Sequence, residues 1–395
     1  METVAGDSPD TPVGADPDDA AEDVSDRQEN LGTDPAVLAL IEGLKGPKTS
    51  VQVMTTSGWS LPVMDPNVAK SCLVFIPDRI DKEKIMDFTS IHLASLIPAE
   101  QIQNRWLNRM VPMPDHVMQA YPPSITSLLH QILKSYAGTA IRGRGVLPFV
   151  HPLQTADYEW NESLSTCLSA VRILDNPILG PEKTAVNLIR SAMSNIEKEY
   201  LSYSPMGALA AFQAYLIYTL ALYFYVEQDR DDYLANAMVI LQALARHVTL
   251  QGLAVRSKAS NCRPIWEEWV AAEAKRRTIL VMYLFDTLLA IGYELPTYLM
   301  VELQGLPAPG PKSLWQARVR TDWKLANTAC ETHWDNGAYL RIFELWPPPP
   351  TLDAFDAQRR RNRVDLWLED VDEFGTFFYA FMASTHGQRI PQELS

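Results

Sequence analysis

The chain has 395 residues, 47% of them apolar and 21% charged, the composition of a globular protein with a sizeable core. The formal net charge of −14 is uneven: residues 1–35 hold eleven acids against the single base Arg27, and so carry −10 of it. An excess of that sign repels phosphate backbones and leaves direct nucleic-acid binding without an electrostatic footprint.

In chain order, residues 1–35 are rich in Asp, Pro, Gly and Ala and poor in large apolar side chains, which predicts a disordered acidic tail. The tail has no apolar run for a secretory signal and too little Arg for a transit peptide. Residues 36–119 read as a transition region of short elements. There an apolar run at 71–77 and a helix-like "AEQIQNRWLNRM" at 99–110 are punctuated by prolines. "GLKGPKTS" at 43–50 has the wrong spacing for a phosphate loop.

From 120 to 395 the pattern predicts one all-helical domain. In 182–203, Val186, Ile189, Met193, Ile196 and Tyr200 recur every three or four positions and form one apolar stripe. Ser204 then Pro205 read as the N-cap and first residue of the next helix. Met206–Val226 has no charged residue and is long enough to span a bilayer. Gln213, Thr219 and four tyrosines are spread through it without a basic flank, so it reads as a buried helix of a large helical core.

Residues 231–250 place Leu234, Met238, Leu241, Leu244 and Val248 on one face, with Gly252 as a stop. Helices are predicted at about 264–291, 314–335 and 356–383, with Pro347–Pro350 as a break before the last. Strand signals are scarce and no fixed-period repeat is present. The fold class predicted is all-α.

The chemistry-bearing residues are few. The four cysteines, Cys72, Cys167, Cys262 and Cys330, are too widely spaced for a metal knuckle or a redox pair and read as reduced, buried thiols. The seven histidines are scattered, and neither H-E-x-x-H, G-x-S-x-G nor G-x-G-x-x-G occurs. "EQDRDDY" at 227–233 offers three aspartates of the kind a terpene cyclase would use for metal, but its place between two helices reads better as a solvated acidic loop. "RRRNR" at 359–363 reads as a solvated, ion-paired helix face, with a nuclear-import or phosphate-binding patch as the functional alternative. No catalytic, cofactor or metal residues are assigned.

The segment "WEEWVAAEAKRRTILVMYLFD" at 266–286 is the most informative. Glu273 precedes Arg276 and Arg277 by three and four positions, the spacing at which side chains meet on a helix. Trp266, Val270 and Leu280 mark the apolar side. Arginines set among so much apolar surface are expected to be desolvated and therefore paired.

At this segment the chain resembles the regulatory, or middle homology, region of fungal zinc binuclear-cluster transcription factors. The matching residues are Trp266, Trp269, Glu273, Arg276, Arg277, Thr278, Tyr283 and Asp286. "RGVLPFVHP" at 144–152, "STCLSAVRIL" at 165–174, "LPAPGPKSLWQA" at 306–317 with Trp315 and then Trp323, and "RVDLWLEDVDEFGTFFYA" at 363–380 resemble further elements of that region in the family's order. Family members carry six closely spaced cysteines that bind two zinc ions, whereas this sequence has only Cys72 before residue 120.

The resemblance implies a nuclear regulator or coregulator of transcription, not an enzyme, with the cytoplasm left open as a second location. It would act through another transcription factor or a second copy of itself, with no sequence-specific DNA contact of its own and no membrane. Control of a fungal biosynthetic gene cluster and a small-molecule effector are compatible with it, and no cofactor is implied. The alternative is a helical enzyme, terpene-cyclase-like or other, that reuses the same body; a zinc cluster encoded upstream is a third reading.

Overall fold

In the computed structural model, the described residues are 88, 91–103, 105, 119–155, 159–175, 182–226, 230–255, 265–334, 339–349 and 351–385. The acidic tail, the phosphate-loop look-alike, the apolar run at 71–77, Cys72 and Cys262 lie outside them. Every described residue belongs to one compact unit, and its architecture is all-α.

The helices are α1 (Ala99–Gln103), α2 (Pro123–Arg142), α3 (Glu162–Val171), α4 (Glu182–Glu199), α5 (Pro205–Tyr225), α6 (Arg230–Leu250), α7 (Trp266–Gly292), α8 (Lys312–Trp315), α9 (Arg320–His333), α10 (Ala354–Asp370) and α11 (Glu373–Thr385). Among the described residues, β-structure is limited to an antiparallel pair, β1 (Leu93–Ala94) and β2 (Ala254–Val255), plus two isolated bridges.

Helix α5 is the centre. It is apolar on all sides, and Met206 to Leu222 is buried without interruption. Helices α2, α3, α4, α6 and α7 all pack on it. Ser204 caps it as expected, its hydroxyl accepting from Gly207 N at 3.2 Å. The span-length apolar segment is thus a core helix, its apolar surface met by neighbouring helices.

The predicted stripes face this core. On α4, Val186, Ile189, Met193 and Ile196 are buried, and on α6 so are Leu234, Met238, Leu241, Leu244 and Val248. Helix α2 ends at Gly143, which has φ +62; Gly143 N and Arg144 N return to the Ala140 and Thr139 carbonyls, closing the last turn. Gly252 has φ +96 and a second constraint, because a Cβ there would sit 2.5 Å from Leu93 Cβ where β1 crosses it.

Three expectations need correction. The helical body takes in part of the supposed transition region: α1 packs on α6, Ile102 is fully buried, and Arg105 reaches Asp286 on α7. The helix expected at 314–335 is two helices, α8 and α9, separated by Gln316–Val319. The helix expected at 356–383 is also two, because Val371 is extended (φ −82, ψ 159), pairs as a β-bridge with Pro311, and hands over to Asp372 ahead of α11.

Candidate functional site

Helix α7 is buried from Trp269 to Ala290 without a gap, although that stretch contains Glu273, Lys275, Arg276, Arg277 and Asp286. Removing so many charges from water costs several kcal/mol per ion unless each finds a partner. Four of the five do so in two separate networks, and Lys275 donates to Gln251 Oε1 at 3.3 Å.

The first network is built on Glu273. Its Oε1 accepts from Arg277 Nε at 2.7 Å and from Gly310 N at 2.8 Å, and its Oε2 accepts from Arg276 Nη2 at 2.5 Å. Arg277 is fully buried and gives Nη1 to Asp372 Oδ2 at 2.6 Å and to the Pro148 carbonyl at 3.1 Å. Its Nη2 reaches the Gly310 carbonyl at 3.4 Å, and its guanidinium lies over Trp315 at 4.4 Å and Phe374 at 5.2 Å. Arg276 gives Nη1 to the Leu253 carbonyl at 2.7 Å.

Burial works to raise the Glu273 carboxyl, but Arg276 and Arg277 outweigh it and hold it below the usual carboxylate range. Burial likewise works to lower Arg277, and Glu273 and Asp372 more than offset it. Neither side chain exchanges a proton near neutral pH. A fixed anion clasped by two fixed cations is a structural tie, with no member free to act as general acid or base.

Each strand of this tie comes from a different stretch of sequence. Pro148 belongs to "RGVLPFVHP" and Gly310 and Trp315 to "LPAPGPKSLWQA". Asp372 lies in the break between α10 and α11. Its Oδ1 accepts from Gly375 N at 3.1 Å while Oδ2 holds Arg277, so one carboxylate both caps α11 and closes the ion network. Gly310 is required by space: a Cβ there would lie 2.8 Å from the Trp269 ring.

Beside the tie, His151 is buried with its Nδ1 accepting from Leu153 N at 3.2 Å, and its ring meets Trp315 edge-on at 4.9 Å and Trp266 at 6.5 Å. Burial pushes its imidazole down to about 3. Gln213 of α5 fixes the same loop, donating to the Phe149 carbonyl at 2.7 Å and accepting from Gln154 at 2.9 Å.

The predicted residues Trp266, Trp269, Glu273, Arg276, Arg277 and Trp315 therefore converge on one place. Asp286 does not. It stands about 20 Å further along α7 at the helical rise of 1.5 Å per residue. There its Oδ2 accepts from Arg105 Nε at 2.7 Å. Arg105 also binds Glu302 at 2.6 Å and lies over Tyr283 at 4.3 Å, whose hydroxyl donates to Glu302 at 3.1 Å.

No protein-family model, curated protein or solved structure matches the chain.

The two other charged motifs fall elsewhere. Of "EQDRDDY", residues 230–233 begin α6, and 227–229 lie outside the described residues. Of the arginines of "RRRNR", Arg363 makes an ion pair, across the chain and not with an acid one turn away on its own helix. Arg363 grips Glu344 at 2.8 Å, and Arg360 binds the carbonyls of Phe343, Glu344 and Trp346. Arg361 holds Gln358 at 2.8 Å.

Outside the tie, a cleft of about 970 Å³ opens between α7, residues 305–311, α9 and α10. Trp269 and Arg276 form the wall it shares with the tie. Nothing in the sequence pointed to it, because its walls come from seven separated stretches. Of the tie's partners, Asp372 carried a readable signal, an aspartate followed by glutamate at a helix start.

Proposed function

We propose that the chain is a regulator or coregulator of transcription that works through protein contacts, built on a body similar to the regulatory region of fungal zinc binuclear-cluster transcription factors. The observation that supports this reading is the convergence of the motif stretches. Residues 148, 273, 276, 277, 310, 315 and 372, drawn from four of the stretches that carry the resemblance, meet in one buried, hydrogen-bonded charge network. Such a network fixes the relative positions of α7, α11 and two loops, which is the work of a scaffold.

The sequence holds four dispersed cysteines and no binuclear cluster, so the reading places contact with promoters on a partner protein, another transcription factor or a second copy. The test is deletion of the gene with transcript profiling, alongside localisation of a tagged copy. The expected outcome is nuclear signal and a defined set of transcripts that change. An exclusively cytosolic protein whose loss alters metabolites and leaves transcripts unchanged overturns it.

A further inference from the structure

The cleft beside the ion network has the chemistry of a binding site for a small organic anion. Its charged wall residues are unbalanced. Arg276, Arg341, Arg359, Arg360 and Arg363 line it. Against these five stand Glu331, Glu344 and Asp356 in the lining, with Glu273 behind it holding Arg276. An excess of positive charge here stands out on a chain whose formal net charge is −14. Arg341 and Arg359 are exposed and take part in no ion pair among the described residues.

Two N–H groups decide the ligand's polar end. Arg276 is 6% exposed and Trp334 3% exposed, and both line the cleft. Arg276 Nε and Trp334 Nε1 are buried and have no hydrogen-bond acceptor among the described residues. A buried donor left without an acceptor costs ~1–3 kcal/mol, so a site that keeps two of them in its lining residues is short of acceptor oxygens. The apolar part of the lining, Trp269, Trp334, Trp367 and Tyr339, offers aromatic faces for a flat body. The volume lies in the range of small-molecule sites, roughly 300–1,000 Å³.

We infer that this cleft binds a small carboxylate with a planar apolar body, its oxygens accepting from Arg276 and Trp334. The binding itself does not depend on the regulatory reading; only the role of the ligand as the regulator's input rests on it.

The test titrates the full chain with 1-naphthoate, followed by quenching of tryptophan fluorescence and by calorimetry. Controls are 1-naphthylmethanol, which has the body without the charge, and inorganic phosphate, which has charge without the body. The expected result is saturable binding at one site, about tenfold tighter than the alcohol and not displaced by phosphate. Trp334→Phe, which keeps the ring face and removes the N–H, weakens naphthoate by about tenfold. Arg341→Gln, an exposed change that spares the fold, weakens it about threefold by reducing the field at the mouth. Absence of saturable binding, equal affinity for the alcohol, displacement by phosphate, or wild-type affinity in both variants overturns the inference. Binding that survives in a strain with no transcript defect leaves this inference standing and removes only the regulatory reading.

Discussion

Arg277 has no side-chain surface in water, and each of its three guanidinium nitrogens is committed to an acceptor, Nε on its own helix and the two Nη on other parts of the fold. Its replacement leaves Glu273 and Asp372 buried with a shared cation missing. Arg277→Met is expected to cost ~3–5 kcal/mol in urea unfolding, the range for breaking a buried pair from one side. Unfolding midpoints equal to wild type would show the network to be dispensable. His151 makes a second prediction. Its imidazole, held near 3, is neutral in the fold, whereas in the unfolded chain it protonates near 6.5. The unfolded state therefore binds more protons below pH 6.5, and stability falls as pH drops from there towards 3, by at most ~1.4 kcal/mol per pH unit. Glu273, lowered below the carboxylate range, adds its own loss once pH falls through the unfolded carboxylate value of about 4.3 towards its folded one. Between pH 6.5 and 4.5, then, His151→Asn should flatten the stability profile; an unchanged slope would assign it to other groups.

At the scale of elements, the break between α10 and α11 carries the most weight. Trp367, Val371, Phe374, Phe378 and Phe381 keep a four-three-four-three spacing through it, and all are buried, so the apolar pattern continues while the backbone does not. That is why periodicity predicts one helix at 356–383 and the structure has two. Asp372→Ala removes the cap of α11 and the second carboxylate of Arg277 together. A loss of ~3 kcal/mol is expected, more than a cap alone, with amide exchange in α11 accelerating first. Equal exchange in α11 and the rest of the body would separate the cap from the ion pair. The stripes of α4 and α6, the cap of α5 and the Glu273–Arg276–Arg277 spacing were legible because each is set by neighbours within two turns. Arg105, Pro148 and Gly310 were not, since nothing local in sequence records a partner more than a hundred, or even thirty, positions away. The cleft shares that cause.

The whole molecule is arranged around one helix that is buried from Met206 to Leu222. The composition of α5 already implied a buried or membrane helix, and the choice between them turned on how its tyrosines and Gln213 are spread. The structure gives Gln213 its partners inside the core. Leu216→Lys, at a fully buried site in α5, would place an unpaired cation among five packed helices; loss of soluble protein is expected, and a well-folded variant would contradict the central position of α5. The same arrangement bears on synthesis. Helix α5 leaves the ribosome before α6 and α7, and at ~5–20 residues per second its apolar surface waits on the order of ten seconds for them. During that interval nascent-chain binding factors compete with folding for a span-length apolar segment. Weakening α7 should accordingly lower the yield of newly made chains more than it lowers the melting temperature of those already folded.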